Sequence, residues 1–123
     1  MQHLESNFQS QIVRFLRSQG FYVFAVPNAG KVSVKQGAIY KREGALAGVS
    51  DLIIVLQGRT VYVEIKSPNG KGRQSDSQKE FEREITARGH EYLLWDNWAE
   101  VESFINAERV NKGHLEIKIG GTD

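Results

Sequence analysis

The chain has 123 residues, of which 40% are hydrophobic and 25% charged, and its formal net charge is +1. We expect one domain over residues 1–123, with residues 110–123 as a peripheral tail. The absence of cysteine excludes disulfides, thiolate zinc sites and cysteine nucleophiles. No apolar run approaches the ~20 residues that span a bilayer, so we expect a cytoplasmic protein without membrane contact.

The first half of the chain begins with a helix and a strand. Apolar residues at three- and four-residue spacing predict a helix from Leu4 to Ser18, and Gly20 ends it. The β-branched and aromatic residues 21–26 predict a strand. The polar stretch from Asn28 to Ser50 is longer than an ordinary connector, which points to function or mobility. Alternation over residues 31–35 allows a short strand or hairpin arm inside it.

The second half begins with an antiparallel hairpin, formed by strands at 51–56 and 60–66 around a tight turn. The elements predicted after it are a glycine-rich basic loop at 67–76, a helix at 77–88, a strand at 91–95, a helix capped by Asp96 or Asn97, and a short tail strand at 115–119. Without that tail, the order is α-β-β-β-α-β-α.

Side chains of the second hairpin strand alternate between two faces. One face carries aliphatic residues and the other carries an aromatic and two charged residues: Val61, Val63 and Ile65 against Tyr62, Glu64 and Lys66. An exposed face with a cross-strand ion pair is one explanation of Glu64 and Lys66.

Asp51 favours another explanation. It precedes an almost wholly apolar strand, and pairing across the turn brings it close to residues 64–66. Two carboxylates meeting there repel each other unless a cation lies between them, and oxygen ligands select Mg²⁺ or Mn²⁺. A lysine beside such a metal stabilises charge on a phosphate or helps to deprotonate a water. This combination indicates a site that cleaves phosphodiesters.

These residues also match a known family. Asp51, followed after twelve residues by Glu64-Ile65-Lys66, resembles the PD-(D/E)XK nuclease motif, although Ser50 stands where the family often has Pro. Five blocks in order resemble its virus-type replication-repair nuclease (VRR-NUC) branch: Glu5 with Gln9, Pro27-Asn28-Ala29-Gly30, Gly48-Val49-Ser50-Asp51-Leu52, Glu64-Ile65-Lys66 and Ser75-Asp76-Ser77-Gln78.

The resemblance covers residues 5 to about 95 and looks like a minimal, standalone member of the family. It implies a restriction-endonuclease-like α/β fold, in which helices flank a mixed central sheet. It also implies that Asp51 and Glu64 bind Mg²⁺, for which Mn²⁺ substitutes, with the backbone carbonyl of Ile65 as a further ligand. Lys66 would orient or activate the attacking water and steady the scissile phosphate. No organic cofactor is implied.

Two further site residues follow from the resemblance. Gln78 is similar to a glutamine that contacts the site from the helix after the hairpin; the alternative is an ordinary polar residue at a helix N-terminus. Glu5 is similar to a glutamate that serves as an extra metal ligand or a nearby base. Its alternative role is an acid that favours the helix dipole. With Glu5, two metal ions become possible.

Basic side chains in two glycine-containing segments suit a nucleic-acid backbone. The residues that we expect to bind DNA are Lys31, Lys35, Tyr40, Lys41 and Arg42 in the long loop, and Lys71 and Arg73 beside the catalytic lysine. Asn69 and Gln74 can add contacts, and Asn28 is either a turn former or a contact of the site. Solvated loops are the alternative for any one of these residues.

The leading hypothesis is a Mg²⁺-dependent, structure-selective DNA endonuclease in a bacterial or phage-infected cell. Because no module for reading base sequence is apparent, we expect recognition of DNA shape. The resemblance implies cutting of branched DNA such as four-way (Holliday) junctions, on which a homodimer would place two active sites. Four aromatics exceed the obvious needs of the core and suit a dimer interface, with core packing as the alternative: Tyr92, Trp95, Trp98 and Phe104.

Three alternatives remain open. The same chemistry suits a monomeric flap, nicking or single-strand nuclease. A DNA-binding module with a vestigial site is a different class, against which the intact Asp51, Glu64 and Lys66 argue. A structural protein with a plain surface pair at Glu64 and Lys66 leaves the other ordered blocks unexplained.

Overall fold

The structure is built on one four-stranded sheet. A computed structural model describes residues 3–27 and 32–120. Its elements are α1 (Leu4–Ser18), β1 (Tyr22–Ala25), α2 (Val34–Arg42), β2 (Leu52–Leu56), β3 (Arg59–Ile65), α3 (Asp76–Ala87), β4 (Glu91–Trp95) and α4 (Trp98–Gly120). The strands lie in the order β1-β2-β3-β4; the first three are antiparallel, and β4 is parallel to β3. The predicted α/β fold with a mixed sheet and flanking helices is confirmed.

One face of the sheet forms the apolar core. Val61, Val63 and Ile65 of β3 are fully buried there with Leu52 and Ile54 of β2, because a strand turns alternate side chains to the same side. Helices α1 and α4 cover this face with side chains at helical spacing. The buried cluster comprises Phe8, Ile12, Leu16, Val23, Leu52, Ile54, Val61, Val63, Ile65, Trp95, Val101, Phe104 and Ile105. Burying one such side chain stabilises the fold by about 1.5–3 kcal/mol.

The opposite face is covered only in part. Phe81 of α3 packs edge-on against Tyr62 of β3, with ring centroids 5.8 Å apart, and also contacts Tyr92 of β4. Toward the other edge of the sheet, Tyr22 of β1 remains 73% exposed and Phe24 42% exposed. This face therefore has a covered half over β3 and β4 and an open half over β1 and β2.

The ends of β1, β3 and β4 and the start of β2 lie at one end of the sheet. The N–H of Val26 donates to the carbonyl of Asp51 at 2.9 Å, so β1 ends where β2 begins. The N–H of Lys66 donates to the carbonyl of Trp95 at 2.9 Å, so β3 and β4 end together. The antiparallel register of β2 and β3 places both pairs at the same end, which we call the carboxyl end of β3.

Two expectations about secondary structure are wrong. The possible strand or hairpin arm at residues 31–35 is replaced by α2, which the predicted order lacked, because the Ser33 hydroxyl accepts the N–H of Gln36 at 3.1 Å and caps a helix. The tail strand at 115–119 is replaced by the continuation of α4 to Gly120. A helix satisfies its backbone groups internally, whereas a short strand needs a neighbouring strand.

No helix within residues 3–27 and 32–120 is both long enough and apolar enough to cross a membrane.

Candidate active site

The β2–β3 hairpin brings Asp51 to Glu64. The register pairs Leu52 with Val63, so Asp51, one residue before, stands opposite Glu64 on the face that α3 covers. The Oδ2 atom of Asp51 accepts the N–H of Ile65 at 2.7 Å, and the carboxyl groups of Asp51 and Glu64 lie within hydrogen-bonding reach of each other. The pairing of the two hairpin strands is therefore enough to bring the two carboxyl groups together.

Glu64 is almost completely buried, with 1% of its surface exposed. Its Oε2 accepts a hydrogen bond from the Gln78 side-chain amide at 2.8 Å and lies 3.6 Å from the ammonium nitrogen of Lys66. The hydroxyl of Tyr92 lies 3.5 Å from its Oε1. The interpretation of Glu64 and Lys66 as an exposed ion pair is therefore wrong, because both side chains are buried.

Burial raises the pKa of Glu64 from its ordinary value of 4.5 to about 8. That value includes the hydrogen bond and the charge of Asp51, which also raise the pKa, and the charge of Lys66, which lowers it. The single positive charge of Lys66 therefore does not balance the negative charges of the two adjacent carboxylates. A divalent cation between them would favour both ionised forms.

Lys66 lies at the end of β3 and is 8% exposed. Its ammonium group donates to the side-chain oxygen of Gln78 at 2.9 Å. The backbone of Gly72 passes over its aliphatic stem, since a Cβ at Gly72 would lie 3.0 Å from the Cβ of Lys66. The loop between β3 and α3 thus holds the lysine against the carboxylate pair.

Gln78 joins the start of α3 to the site. Its backbone N–H donates to the Ser75 hydroxyl, and its side-chain oxygen accepts the Ser75 N–H at 2.7 Å, which forms a capping box. The same oxygen accepts from Lys66, while the amide nitrogen donates to Glu64. The amide orientation is therefore fixed by three partners, and the predicted site residue does lie among the others.

Gly48 allows the segment that leads to Asp51 to approach α3. Its φ of +85° is one that other residues rarely adopt, and a Cβ there would lie 2.2 Å from the carbonyl oxygen of Ser77. Only glycine fits this contact. The close approach keeps Asp51 on the same side as Gln78.

The oxygen atoms around Asp51 suit a hard divalent cation. Ile65 donates its N–H toward Asp51, and the N–H and carbonyl of one strand residue point to the same side, so the Ile65 carbonyl is also directed toward Asp51. Within the described ranges no group of three or more His, Asp or Glu side chains forms a metal site. Two carboxylates, one carbonyl and waters nevertheless form an ordinary Mg²⁺ environment.

Glu5 is not part of that cluster. It lies exposed in the first turn of α1, one turn before Phe8. Phe8 packs edge-on against Trp98, with ring centroids 5.7 Å apart, and Trp98 follows the end of β4. The start of α1 is therefore at the carboxyl end of β3, but Glu5 completes no group of three acids with Asp51 and Glu64. Its metal role stays a prediction.

The expected DNA-binding residues lie on two connections that leave this end of the sheet. Lys35, Tyr40, Lys41 and Arg42 are exposed on α2, between β1 and β2. Lys71 and Arg73 are exposed on the loop between β3 and α3. Lys31 and Asn28 lie outside the described residues. Exposed cations on these two connections suit a phosphate backbone, and their role in binding DNA stays a prediction.

The aromatic residues expected at a dimer interface belong instead to the interior. Trp95 is 2% exposed and packs against Phe104, while Trp98 contacts the rings of Phe8 and Phe15. Tyr92 is half-buried beside Glu64. Core packing therefore explains these side chains, and the dimer prediction loses this support.

Sequence reasoning missed a polar chain behind Glu64. Gln74, which was considered only as a DNA contact, donates to the carboxylate of Glu82 at 2.9 Å and to the hydroxyl of Tyr92 at 3.2 Å. Burial and the charge of Glu64 raise the pKa of Tyr92, which keeps its hydroxyl protonated. Only the parallel pairing of β4 with β3 places Tyr92 on this face, and that pairing is not a local sequence signal.

Comparisons with known proteins support the fold. No family model matches the chain, and no curated protein matches it. A solved structure described as a VRR_NUC domain protein matches with a TM-score of 0.67 and 22% identity over 86% of this chain and 85% of the other. The chain therefore shares the α/β fold of that VRR_NUC domain protein, which agrees with the resemblance of the ordered sequence blocks.

Proposed function

We propose that this protein is a Mg²⁺-dependent DNA endonuclease that hydrolyses phosphodiester bonds in branched DNA. The observation that carries the proposal is the arrangement of the buried Glu64 and Lys66, joined by the Gln78 amide, beside the half-buried Asp51. Burying Glu64 and Lys66 next to a second carboxylate costs stability, so a purely structural role does not account for them. A VRR_NUC domain protein with the same fold adds support.

Some of the site residues would supply charge, and others would position those charged groups. A bound Mg²⁺ would polarise the scissile phosphate and lower the pKa of a bound water. Asp51 and Glu64 would hold the ion, with the Ile65 carbonyl. Lys66 stands 3.6 Å from Glu64, where its charge would face the phosphate or the attacking water. Gln78 fixes the positions of the Lys66 and Glu64 side chains relative to each other, because it forms a hydrogen bond with each.

The exposed cations suit recognition of DNA shape. The segment that carries α2 and the loop after β3 both leave the sheet at the end where Asp51 and Glu64 lie. Phosphate contacts of this kind supply affinity without reading base sequence. Selection of branched DNA such as four-way junctions would then come from geometry.

A homodimer is the second part of the proposal. Tyr22, Phe24 and Val55 are 73%, 42% and 41% exposed on the open half of the sheet face, beside the edge strand β1. Exposed apolar side chains that share one sheet face favour a protein contact. A second copy on this surface would place two sites in one particle, as paired cuts in a junction require.

Cleavage assays test the chemistry. Labelled four-way junction, flap, single-stranded and linear duplex DNA would be incubated with Mg²⁺, Mn²⁺ or EDTA, beside Lys66→Ala. We expect paired symmetric nicks in the junction that require metal and disappear in the variant, while DNA binding persists. Cutting of flaps or single strands alone would support a monomeric nuclease instead. Binding without cleavage in either metal would overturn the enzyme proposal in favour of a vestigial module.

Light scattering after gel filtration tests the dimer. Phe24→Glu places a charge on the open sheet face, whereas Val34→Glu places one on α2 at a residue that is already 92% exposed. We expect a dimer for the unaltered chain and for Val34→Glu, and a monomer for Phe24→Glu. A monomeric unaltered chain would remove the dimer from the proposal but leave the metal site untouched.

A further inference from the structure

The loop between β3 and α3 faces two directions. Residues 71–75 alternate between exposed and half-buried, so the cations Lys71 and Arg73 point outward while Gly72 and Gln74 point inward. Gly72 lies against the stem of Lys66. Gln74 reaches past α3 to the hydroxyl of Tyr92. The segment that carries the expected DNA contacts thus also touches the surroundings of the catalytic pair.

A chain of hydrogen bonds runs from this loop to Glu64. The Gln74 amide nitrogen donates to Glu82 at 2.9 Å and to the Tyr92 hydroxyl at 3.2 Å. Because the hydroxyl accepts from Gln74, its single proton is available for Glu64, whose Oε1 lies 3.5 Å away. The carboxylate of Glu82 fixes which end of the Gln74 amide faces Tyr92.

The two oxygens of Glu64 therefore have different partners. Its Oε2 faces Gln78 and Lys66, and its Oε1 faces Tyr92. A carboxylate that is 1% exposed has no bulk water to complete its hydrogen bonds. In a Tyr92→Phe variant the hydroxyl that faces Oε1 would be absent, and the carboxylate would lose one restraint on rotation about its last bond.

We infer that Tyr92 is a positioning residue for Glu64. Its hydroxyl sets the direction in which Glu64 presents its carboxylate to a divalent cation, and Gln74 and Glu82 orient that hydroxyl. This inference rests on the proposed function, since it assigns Glu64 to a metal site. It adds residues on β4, the loop and α3 to the set that determines activity. Tyr92 touches neither the DNA nor the reacting atoms in this assignment.

The chain offers a matched control. Tyr62 lies on the same sheet face as Tyr92, directly beside it in the β3–β4 register, and packs against the same Phe81. Its hydroxyl makes no side-chain hydrogen bond with the described part of the chain. Tyr62→Phe and Tyr92→Phe therefore remove the same group from similar surroundings, and only Tyr92→Phe removes it from Glu64.

Two measurements on the full chain test the inference: the cleavage rate with Mg²⁺ at saturating DNA, and the affinity for Mn²⁺ by electron paramagnetic resonance in the absence of DNA. For Tyr92→Phe we expect a rate about tenfold lower, an unchanged KM for DNA and a several-fold weaker Mn²⁺ affinity. Tyr62→Phe should change neither quantity. Gln74→Met should have a smaller effect that disappears in the Tyr92→Phe background, since Gln74 acts through Tyr92.

Equal behaviour of Tyr92→Phe and Tyr62→Phe in an active protein would overturn the inference and leave the proposed function standing. If the effects of Gln74→Met and Tyr92→Phe on the cleavage rate multiply independently, Gln74 does not act through Tyr92, and the chain of hydrogen bonds from Gln74 to Glu64 is overturned. An unaltered protein that neither cleaves DNA nor binds Mn²⁺ would overturn the proposed function, and the inference with it.

Discussion

Asp51 and Leu52 are neighbours in the chain, but their side chains enter opposite faces of the sheet. Leu52 is fully buried among the apolar side chains that α1 and α4 supply. Asp51 lies beside Glu64, which is 1% exposed and yet surrounded by an amide, an ammonium group, a hydroxyl and a second carboxylate. Similar depths of burial thus hold very different chemistry.

The difference follows from the two-residue period of a strand. Each position along β2 and β3 belongs either to the apolar face or to the face that α3 covers, and the two sets do not mix. We therefore expect substitutions on the first face to change stability and those on the second to change activity. The predictions below test that separation, beginning with the largest effect.

Asp51→Asn should lower Mg²⁺-dependent cleavage by at least about 10²-fold, the size seen when a charge-stabilising group is removed from an active site. Its metal-free melting temperature should stay equal or rise, because an amide beside Glu64 replaces a second carboxylate. The asparagine oxygen can still accept the N–H of Ile65. Cleavage rates and calorimetry in EDTA measure the two quantities.

Asp51→Ala serves as the control for that variant. It removes the acceptor of the Ile65 N–H as well as the charge, so it should be less stable than Asp51→Asn by about 1–3 kcal/mol. Cleavage by Asp51→Asn at the original rate would place the metal site elsewhere. A marked loss of metal-free stability in Asp51→Asn would mean that this face contributes to the fold as the other does.

Leu52→Ala should show the reverse behaviour. Leu52 is 0% exposed, and truncating a buried leucine costs about 2–5 kcal/mol through lost transfer energy and the remaining cavity. Cleavage per folded molecule should hardly change. Urea unfolding provides the stability, and Val55→Ala, at a residue 41% exposed on the same strand, should cost less than about 1 kcal/mol. A folded but inactive Leu52→Ala would break the separation of the two faces.

Gly48→Ala should affect both properties, because Gly48 joins the Asp51 segment to α3. The left-handed backbone costs a non-glycine residue about 1–2 kcal/mol, and the overlap with Ser77 adds to that. Displacement of the segment would also separate Asp51 from Gln78, so cleavage should fall with stability. Urea unfolding and cleavage assays measure the two.

Gly58→Ala isolates the backbone cost in that comparison. Gly58 has a φ of +73°, but nothing lies within 4 Å of an added Cβ. We expect a loss of about 1–2 kcal/mol and unchanged cleavage. Equal losses of stability at both glycines would show that the contact with Ser77 is unimportant.

Local patterns made much of the site predictable. One tight turn fixes the register of the hairpin, so the positions of Asp51, Glu64 and Lys66 follow from 16 consecutive residues, 51–66. Gln78 came from the resemblance to VRR-NUC domains, but its simultaneous bonds to Lys66 and Glu64 require a helix docked on the sheet. Tyr92 depends on a parallel pairing across α3, which no local pattern encodes.

The errors have similarly specific causes. Ser33 and Gln36 have the spacing of a helix start, yet the apolar alternation over 31–35 favoured a strand arm. The sequence does not show how large the core is, so the aromatic residues were wrongly expected at a dimer interface. Trp95 and Phe104 instead fill the space between the sheet and α4. The exposure of Tyr22 and Phe24 was not predicted, because their segment has the composition of an ordinary buried strand.

A further predicted effect is a dependence of metal-free stability on pH. Folding raises the pKa of Glu64 from about 4.5 to about 8, mainly through burial. Between these values the folded protein binds a proton that the unfolded chain has released, so the free energy of unfolding falls as pH rises. This contribution is fully present below about pH 4.5 and is lost as pH rises through about 8.

Melting temperatures in EDTA at pH 5.5 and pH 8 measure this dependence, and we expect a fall that is specific to Glu64. Glu64→Gln cannot ionise and should lose that part of the fall, so the difference between the two proteins separates Glu64 from other titrating groups. Saturating Mg²⁺ should reverse the trend, because a cation binds the ionised pair and stabilises the folded state more as pH rises. If both proteins respond equally to pH, the buried carboxylate is not the source of the dependence, and the contrast between the two faces would rest on activity alone.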